Sequence, residues 1–335
     1  IRYRNAVRPG QALPNGQIAD PSTAVVQCLE AVKDSFHKAR HPGIACSFKN
    51  SGVGVGIPDI GRCIASVEQG KIHLRSSAAC IGQGMGTVML QMACEATCLP
   101  PDMFVVEPPD TVRTPNSGTT TASRQTVFTG EATVRATTAL KEELDKICSA
   151  CGCDRRMGLQ KLEGKEFYGE FASDTDPMGS DKPNPVSHVA YGFAAIVADL
   201  DDEGRLVSVH GAYDAGRVAN PKAAQGQLEG GIVMGMGYAL TEDYKLENGY
   251  PKSKYGTLGL LRATDVPVDI YAEFVDNKQW GPYGKGGKGV GELASIPITP
   301  ALQGAYFHLD GVFRTKLPME NTFYKKAAKG GGAGK

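Results

Sequence analysis

The chain has 335 residues, with 36 Lys plus Arg balanced by 36 Asp plus Glu. That neutrality argues against a nucleic-acid binder, which carries a basic face, and there is no apolar run of about 20 residues to cross a membrane. The length accommodates about two domains and a substantial core.

The first stretch, "IRYRNAVRPG", is charged and does not read as a secretory signal. Nine cysteines, among them Cys46, Cys63, Cys80, Cys94 and Cys98 standing singly in apolar surroundings, fit reduced thiols in a cytoplasmic protein better than a disulfide framework. Residues 1–20 are rich in Gly, Pro and polar groups and read as an extended arm. A helix follows in "PSTAVVQCLEAVKDSFHKA", with Ser22 or Thr23 as its cap.

Two segments then share one design. The first has strands near Gly61–Val67 and Ile72–Ala79, the loop "CIGQGMG", and a helix from about Met85 to Cys98. The second has strands near Tyr191–Leu200 and Leu206–Ala212, the loop "YDAGRVANP", and a helix from about Pro221 to Tyr244. Hairpin, loop and helix in that order, twice, predict an α+β fold with mixed sheets built from two duplicated hairpin–loop–helix subdomains. Between them lie the loop "DTVRTPNSGTTTASRQ" and a helix near Gly130–Ser149. The expected division is an arm and helix at 1–40, a first repeat at 41–165, a second repeat at 166–325, and a low-complexity, disordered tail at 326–335.

Several stretches carry chemistry. In "NPKAAQGQLEGGIVMGMGYAL", Asn220 suits an N-cap and Pro221 a first helical position. Gly226, Gly230, Gly231, Gly235 and Gly237 then fall inside the helix, each costing roughly 1 kcal/mol relative to Ala. That cost implies the close approach of another helix or of a ligand beside Gln227. Gln83 lies between glycines at the start of the earlier helix, where free N–H groups favour anions. "SGVGVGIP" lacks the spacing of a dinucleotide fingerprint, and no Walker loop is present. "TPNSGTTTASRQ" offers hydroxyls and an Arg, a polar cradle or else a solvated loop. "GKGGKGVGELASIP" presents Glu292 on bare backbone, as a base or as a surface carboxylate. Cys148, Cys151 and Cys153 in "ICSACGCD" have the spacing of part of a zinc or iron–sulfur site, without an obvious fourth ligand. There is no HExxH pair, and the sequence offers no protein-ligated metal centre.

The order of four motifs, "IGQGMGT", "TPNSGTTTASRQ", "GQLEGG…GMG" and "GKGVGE", resembles the molybdenum-binding portion of the xanthine dehydrogenase and aldehyde oxidoreductase family over about residues 40–310. The resemblance implies the second lobe of that family's cofactor-binding domain, with its connecting arm. It implies molybdopterin as cofactor, usually the cytosine dinucleotide form in bacteria, with a molybdenum held by the pterin and by no side chain. By motif, Gln83 and Gly84 should approach the cofactor near the metal. Thr121, Ala122, Ser123, Arg124 and Gln125 should line the pterin and dinucleotide, and Gln227 should lie near the metal's oxo group. Glu292 matches the family's base. The implied reaction is hydroxylation of an electron-poor carbon of a purine, another N-heterocycle or an aldehyde, with water as oxygen source and Glu292 taking the proton from the metal's hydroxyl. Phe48 is matched to an aromatic that sandwiches substrate. Thr299 and Pro300 should open the helix that anchors the Glu292 loop.

The sequence departs from the family at Lys285 and Gly286, which lengthen the loop, and at Leu293 and Ala294, where prolines are common. The first lobe and the iron–sulfur and flavin domains are absent from this chain, so the expected partners are a first molybdenum lobe, an iron–sulfur subunit and an FAD subunit; no nucleic acid or membrane is expected. The resemblance leaves Cys148, Cys151 and Cys153 as structural thiols. The competing reading is a non-catalytic binding or assembly lobe that needs a partner for any activity.

Overall fold

A computed structural model describes residues 1–267 and 269–325. The tail expected to be disordered, 326–335, lies outside the described residues. The arm contains one helical turn, α1 (Arg2–Asn5), and leads into α2 (Val25–Lys38). In α2, Val25, Cys28, Leu29 and Val32 recur at helical spacing and are buried. Its N-cap is Ala24. Ser22 and Thr23 form a preceding turn instead, in which Asp20 accepts both of their N–H groups at 2.6 and 3.1 Å.

The next elements are β1 (His41–Ser51), β2 (Asp59–Glu68), β3 (Lys71–Arg75), α3 (Met85–Thr97), β4 (Phe104–Val106), α4 (Gln125–Cys151), α5 (Arg155–Gln160) and β5 (Glu166–Ser173). The second half runs β6 (Ala190–Leu200), β7 (Leu206–Asp214), α6 (Pro221–Leu240), the short hairpin β8 (Leu246–Glu247) and β9 (Tyr250–Pro251), β10 (Asp269–Phe274) and α7 (Ile298–Asp310). Two four-stranded sheets result, in the orders β4-β3-β2-β5 and β1-β6-β7-β10. The fold is α+β with mixed sheets, as the sequence predicts.

The two halves repeat one plan beyond the hairpins themselves. In each, an antiparallel hairpin is followed by a loop, a helix, and a strand parallel to the hairpin's second arm: β4 along β3, and β10 along β7. A second loop and a second helix follow, and that helix lies across the sheet. The crossing is so close that a Cβ at Gly61 of β2 would sit 2.3 Å from the Phe128 backbone of α4. At Gly43 of β1 it would sit 1.8 Å from the Ala301 carbonyl of α7.

The fourth strand is where the halves exchange chain. β5 follows α4 and pairs with β2, completing the first sheet, while β1 precedes both hairpins and pairs with β6 along its whole length. Residues 41–51, placed by sequence in the first repeat, therefore belong to the second sheet. Residues 166–173, placed in the second, belong to the first. Pairing between distant strands leaves no local sequence signal, so hydrophobic patterning alone does not reveal the exchange.

Each sheet has its own core. Cys63, Val67, Ile72 and Leu74 pack against Met85, Met89, Leu140 and Leu144 of α3 and α4. Ile196, Leu200 and Val209 pack against Leu228, Ile232, Met236 and Leu302 of α6 and α7. Each such side chain, fully buried, contributes roughly 1.5–3 kcal/mol. α4 also buries Thr133 and Thr137, whose hydroxyls donate to the carbonyls one turn back at 2.8 and 2.7 Å, so neither hydroxyl is left unpaired. Among the described residues, no helix is long and apolar enough to cross a membrane.

Candidate functional site

The four glycine- and hydroxyl-rich loops meet in one cleft of about 430 Å³ at the junction of the two halves. Ile81, Gln83 and Met85 come from the loop into α3, and Thr121 to Thr126 from the turn into α4. Arg217, Asn220 and Gln227 come from the approach and first turns of α6, and Lys288 to Glu292 from the last loop. Gly84 is the N-cap of α3, at φ 76°. Eight of the ten residues singled out by sequence therefore line one cavity: Gln83, Thr121, Ala122, Ser123, Arg124, Gln125, Gln227 and Glu292. Phe48 does not. It pairs with Phe193 across β1 and β6 and packs its ring on Phe193 and Tyr191, 43% exposed.

Three helices present their N-terminal turns to the cleft. α3 and α4 have no side-chain cap, which leaves first-turn N–H groups to be satisfied from the cleft side. α6 is capped by Asn220, whose side chain accepts the Ala223 N–H at 3.1 Å. Cys80 shows what the α3 terminus attracts. Its Sγ accepts the Gly84 N–H at 3.3 Å, and backbone N–H groups, that of Gly82 foremost, hold its thiol below the ordinary range. Burial pushes Cys63 up to about 12 and Cys28 well above its usual value. Limited alkylation with iodoacetamide near neutral pH should therefore label Cys80 well before Cys28 or Cys63. Peptide mapping that finds either buried thiol labelled first contradicts this.

The predicted residues divide by the direction of their side chains. Arg124 contributes backbone to the cleft, but its guanidinium turns inward and is 2% exposed. Nε donates to Asp59 at 2.6 Å, one terminal nitrogen to the Ser117 and Thr119 carbonyls at 2.7 and 3.1 Å, and the other to Ile60 O at 2.7 Å. Its charge is engaged in folding the hydroxyl-rich loop, so Arg124 meets the cleft through its backbone. Gln125 likewise braces that loop, donating to Thr119 O and Thr120 Oγ1, both at 3.2 Å. Gln83 folds onto its own turn, accepting the Ile81 N–H at 2.6 Å and donating to Ala79 O at 3.0 Å. Gln227 is exposed in the cleft and reaches across to Gly82 O at 3.5 Å, joining the two halves.

Glu292 is held between two loops. Ser123 accepts the Glu292 N–H at 3.2 Å and donates its own proton to Glu292 Oε2. Lys49 Nζ, from β1, lies 3.5 Å from the same oxygen. The carboxylate is thus not solitary, and its side chain is 45% exposed to the open cleft. Ala122 and Ser123 adopt left-handed φ values of 47° and 50°, a conformation that costs a non-glycine residue roughly 1–2 kcal/mol. It is retained where the loop must turn Ser123 towards Glu292. The two loops interlock, since a Cβ at Gly289 would lie 1.7 Å from Ser123 O.

The segment after Glu292 explains part of the glycine content of α6. A Cβ at Gly231 would lie 2.6 Å from that of Ala294, and one at Gly235 would lie 2.3 Å from Ile298 Cγ2. Leu293 and Ala294 are buried on this surface. The described residues give no packing reason for Gly226 or Gly230. α7 starts at Ile298 with Pro297 as N-cap, two residues earlier than the sequence suggests. Thr299 does not cap it because its hydroxyl donates to Gly235 O at 3.3 Å. Lys285 and Gly286 belong to a turn against the first turn of α4, and Gly286 O accepts the Arg217 N–H at 2.9 Å.

Lys288 fixes the root of this loop. Its ammonium donates to Asp214 Oδ2 at 2.6 Å and to Ser22 O at 2.8 Å, with the Lys288 and Asp214 side chains 1% and 3% exposed. Among the described residues, the only group of three or more candidate ligands within 4.8 Å of one another is Glu68, His73 and Glu107. Arg75 already pairs with both of those carboxylates. Cys148, Cys151 and Cys153 do not form such a group.

A family model described as the molybdopterin cofactor-binding domain matches residues 24–267. The chain belongs to that family. It is 26% identical to the xanthine dehydrogenase molybdenum-binding subunit of Escherichia coli O157:H7, over 95% of this chain and 48% of the relative. It is 27% identical to the aldehyde oxidoreductase of Megalodesulfovibrio gigas, over 95% of this chain and 37% of the relative. The solved structure of the aldehyde oxidoreductase from Desulfovibrio gigas superposes with a TM-score of 0.76 at 23% identity, covering 94% of this chain and 37% of that one. This chain spans less than half the length of these relatives.

Proposed function

We propose that this chain is the cofactor-binding and base-supplying part of a molybdenum hydroxylase acting on an electron-poor carbon of a purine, another N-heterocycle or an aldehyde. The observation that carries this reading is the convergence of loops far apart in sequence on one cleft, with Glu292 at its edge. The cleft fits a large anionic group. The starts of α3 and α4 lack side-chain caps, and open space lies beside Gly82 and Gly84. Arg217 lines the α6 side, with its guanidinium held by Glu95. These features suit a phosphate-bearing pterin.

Gln83, Gly84 and the Thr121–Gln125 turn would hold the cofactor, with Gln227 reaching in from the opposite half. The cofactor, when bound, would supply the redox centre that takes the hydrogen and two electrons of the substrate's breaking carbon–hydrogen bond. Glu292 takes a proton from the water-derived nucleophile as the new carbon–oxygen bond forms, which is general-base catalysis. Ser123 and the buried Leu293 hold the carboxylate in register with the cleft. The remaining wall is supplied by a partner lobe, and electrons leave through iron–sulfur and flavin centres on partner subunits or domains.

The test is turnover of the native assembly in ¹⁸O-labelled water, with xanthine and benzaldehyde as probes and a dye as electron acceptor. Product carrying the label from water supports the reading. Oxidised product without the label contradicts it.

A further inference from the structure

We propose that Lys49 and Ser123 are positioning residues that engage one carboxylate oxygen of Glu292, Oε2, and leave Oε1 free as the proton acceptor. The inference rests on Glu292 being the base. Both partners converge on the same atom. Ser123 Oγ donates to Oε2 while accepting the Glu292 N–H at 3.2 Å. A hydroxyl has one proton to give and two lone pairs, so this single group fixes both the backbone and the carboxylate of residue 292. Lys49 Nζ stands 3.5 Å from Oε2 and donates to Asn50 O at 2.9 Å, which anchors the ammonium. Oε1 accepts no hydrogen bond from a described residue.

The placement of Lys49 follows from the strand exchange. β1 pairs with β6 so that Phe48 opposes Phe193 and Lys49 opposes Gly192. Side chains alternate along a strand. Phe48 therefore joins the aromatic face with Phe193, and Lys49 emerges on the other face. That face carries the last loop, since a Cβ at Gly192 would meet Leu293 at 3.0 Å. The pairing of β1 with β6 thus brings the Lys49 ammonium beside Glu292. The Lys49 side chain is only 18% exposed, so its charge is less screened than that of a surface lysine. One hydroxyl donor and one neighbouring ammonium on the same oxygen localise negative charge there, hold the plane of the carboxylate, and leave the other oxygen's lone pairs for the incoming proton.

The native assembly is compared with assemblies carrying Lys49→Met, Lys49→Arg, Ser123→Ala and Glu292→Gln, using xanthine and benzaldehyde as probes. Molybdenum content is measured for every variant, and kcat is expressed per molybdenum. Lys49→Met and Ser123→Ala should each lower kcat by about 10- to 100-fold, with KM within about threefold, because a misoriented base loses rate rather than binding. Lys49→Arg should restore most of the rate. Two readouts need no turnover. Hydrogen exchange of the Glu292 amide should quicken in Ser123→Ala and not in Lys49→Met. Urea midpoints of Lys49→Met, Glu292→Gln and their double variant should be non-additive.

Additive midpoints, an unchanged Glu292 amide in Ser123→Ala, or full kcat in Lys49→Met overturn the inference. So does an equal loss in Lys49→Arg and Lys49→Met, which marks a packing role. Full kcat in Glu292→Gln instead overturns the base reading itself, so the two failures are distinguishable.

Discussion

Glu292→Gln in the native assembly is expected to lower kcat by about 100- to 10,000-fold, the range of a positioned general base. The amide keeps the size of the side chain and can still accept from Ser123, but it cannot take a proton near neutral pH. Backbone from the same loop also closes against the start of α4, with Gly289 beneath Ser123. Cofactor content should therefore remain at the wild-type level. A variant that keeps its cofactor and turns over at the wild-type rate means the proton goes elsewhere. A variant that loses its cofactor means the residue's role is in assembling the cleft.

Lys288→Met is expected to produce the largest loss of stability, about 3–5 kcal/mol, because it leaves Asp214 buried without its cation. Burial pushes the Asp214 carboxyl above its ordinary value, and Lys288 opposes that rise. The sign of the pH dependence follows. A carboxyl whose native pKa lies above the unfolded value loses stability as pH rises and it ionises. Without Lys288 the rise is larger, so the deficit of the variant should be greatest near neutral pH and shrink as the solution is acidified. Urea unfolding as a function of pH measures it. A deficit that is small, or equal at all pH values, contradicts the role assigned to the pair. The loss should also release the arm, because Lys288 is what ties Ser22 to the last loop.

Much of this architecture was legible in the sequence, for local reasons. Each hairpin is bounded by turn residues, each cleft loop by glycines, and α6 by Asn220 and Pro221. The pairing of β1 with β6 was not legible, because β-strand partners are chosen by global packing. Arg124 was legible as part of a polar loop but not in its direction, since only the fold places Asp59 and three carbonyls around it. Lys49 was missed for the same reason as the exchange. The available signal was a lysine inside the otherwise largely apolar strand "GIACSFKN", and a charge in such a place calls for a partner. Phe48, its neighbour, drew attention instead and lies on the opposite face.

The central claim is that the cleft between the two halves holds a molybdopterin. The measurement that tests it is molybdenum by elemental analysis and pterin by fluorescence after oxidation, on the native assembly containing this chain. The same measurements belong on an assembly carrying Gly289→Leu, whose side chain must enter the space taken by Ser123. About one molybdenum and one pterin per chain in the wild type, with both lost together in the variant, is the predicted result. A wild-type assembly without pterin when molybdate is supplied, or a variant that keeps its full content, contradicts it.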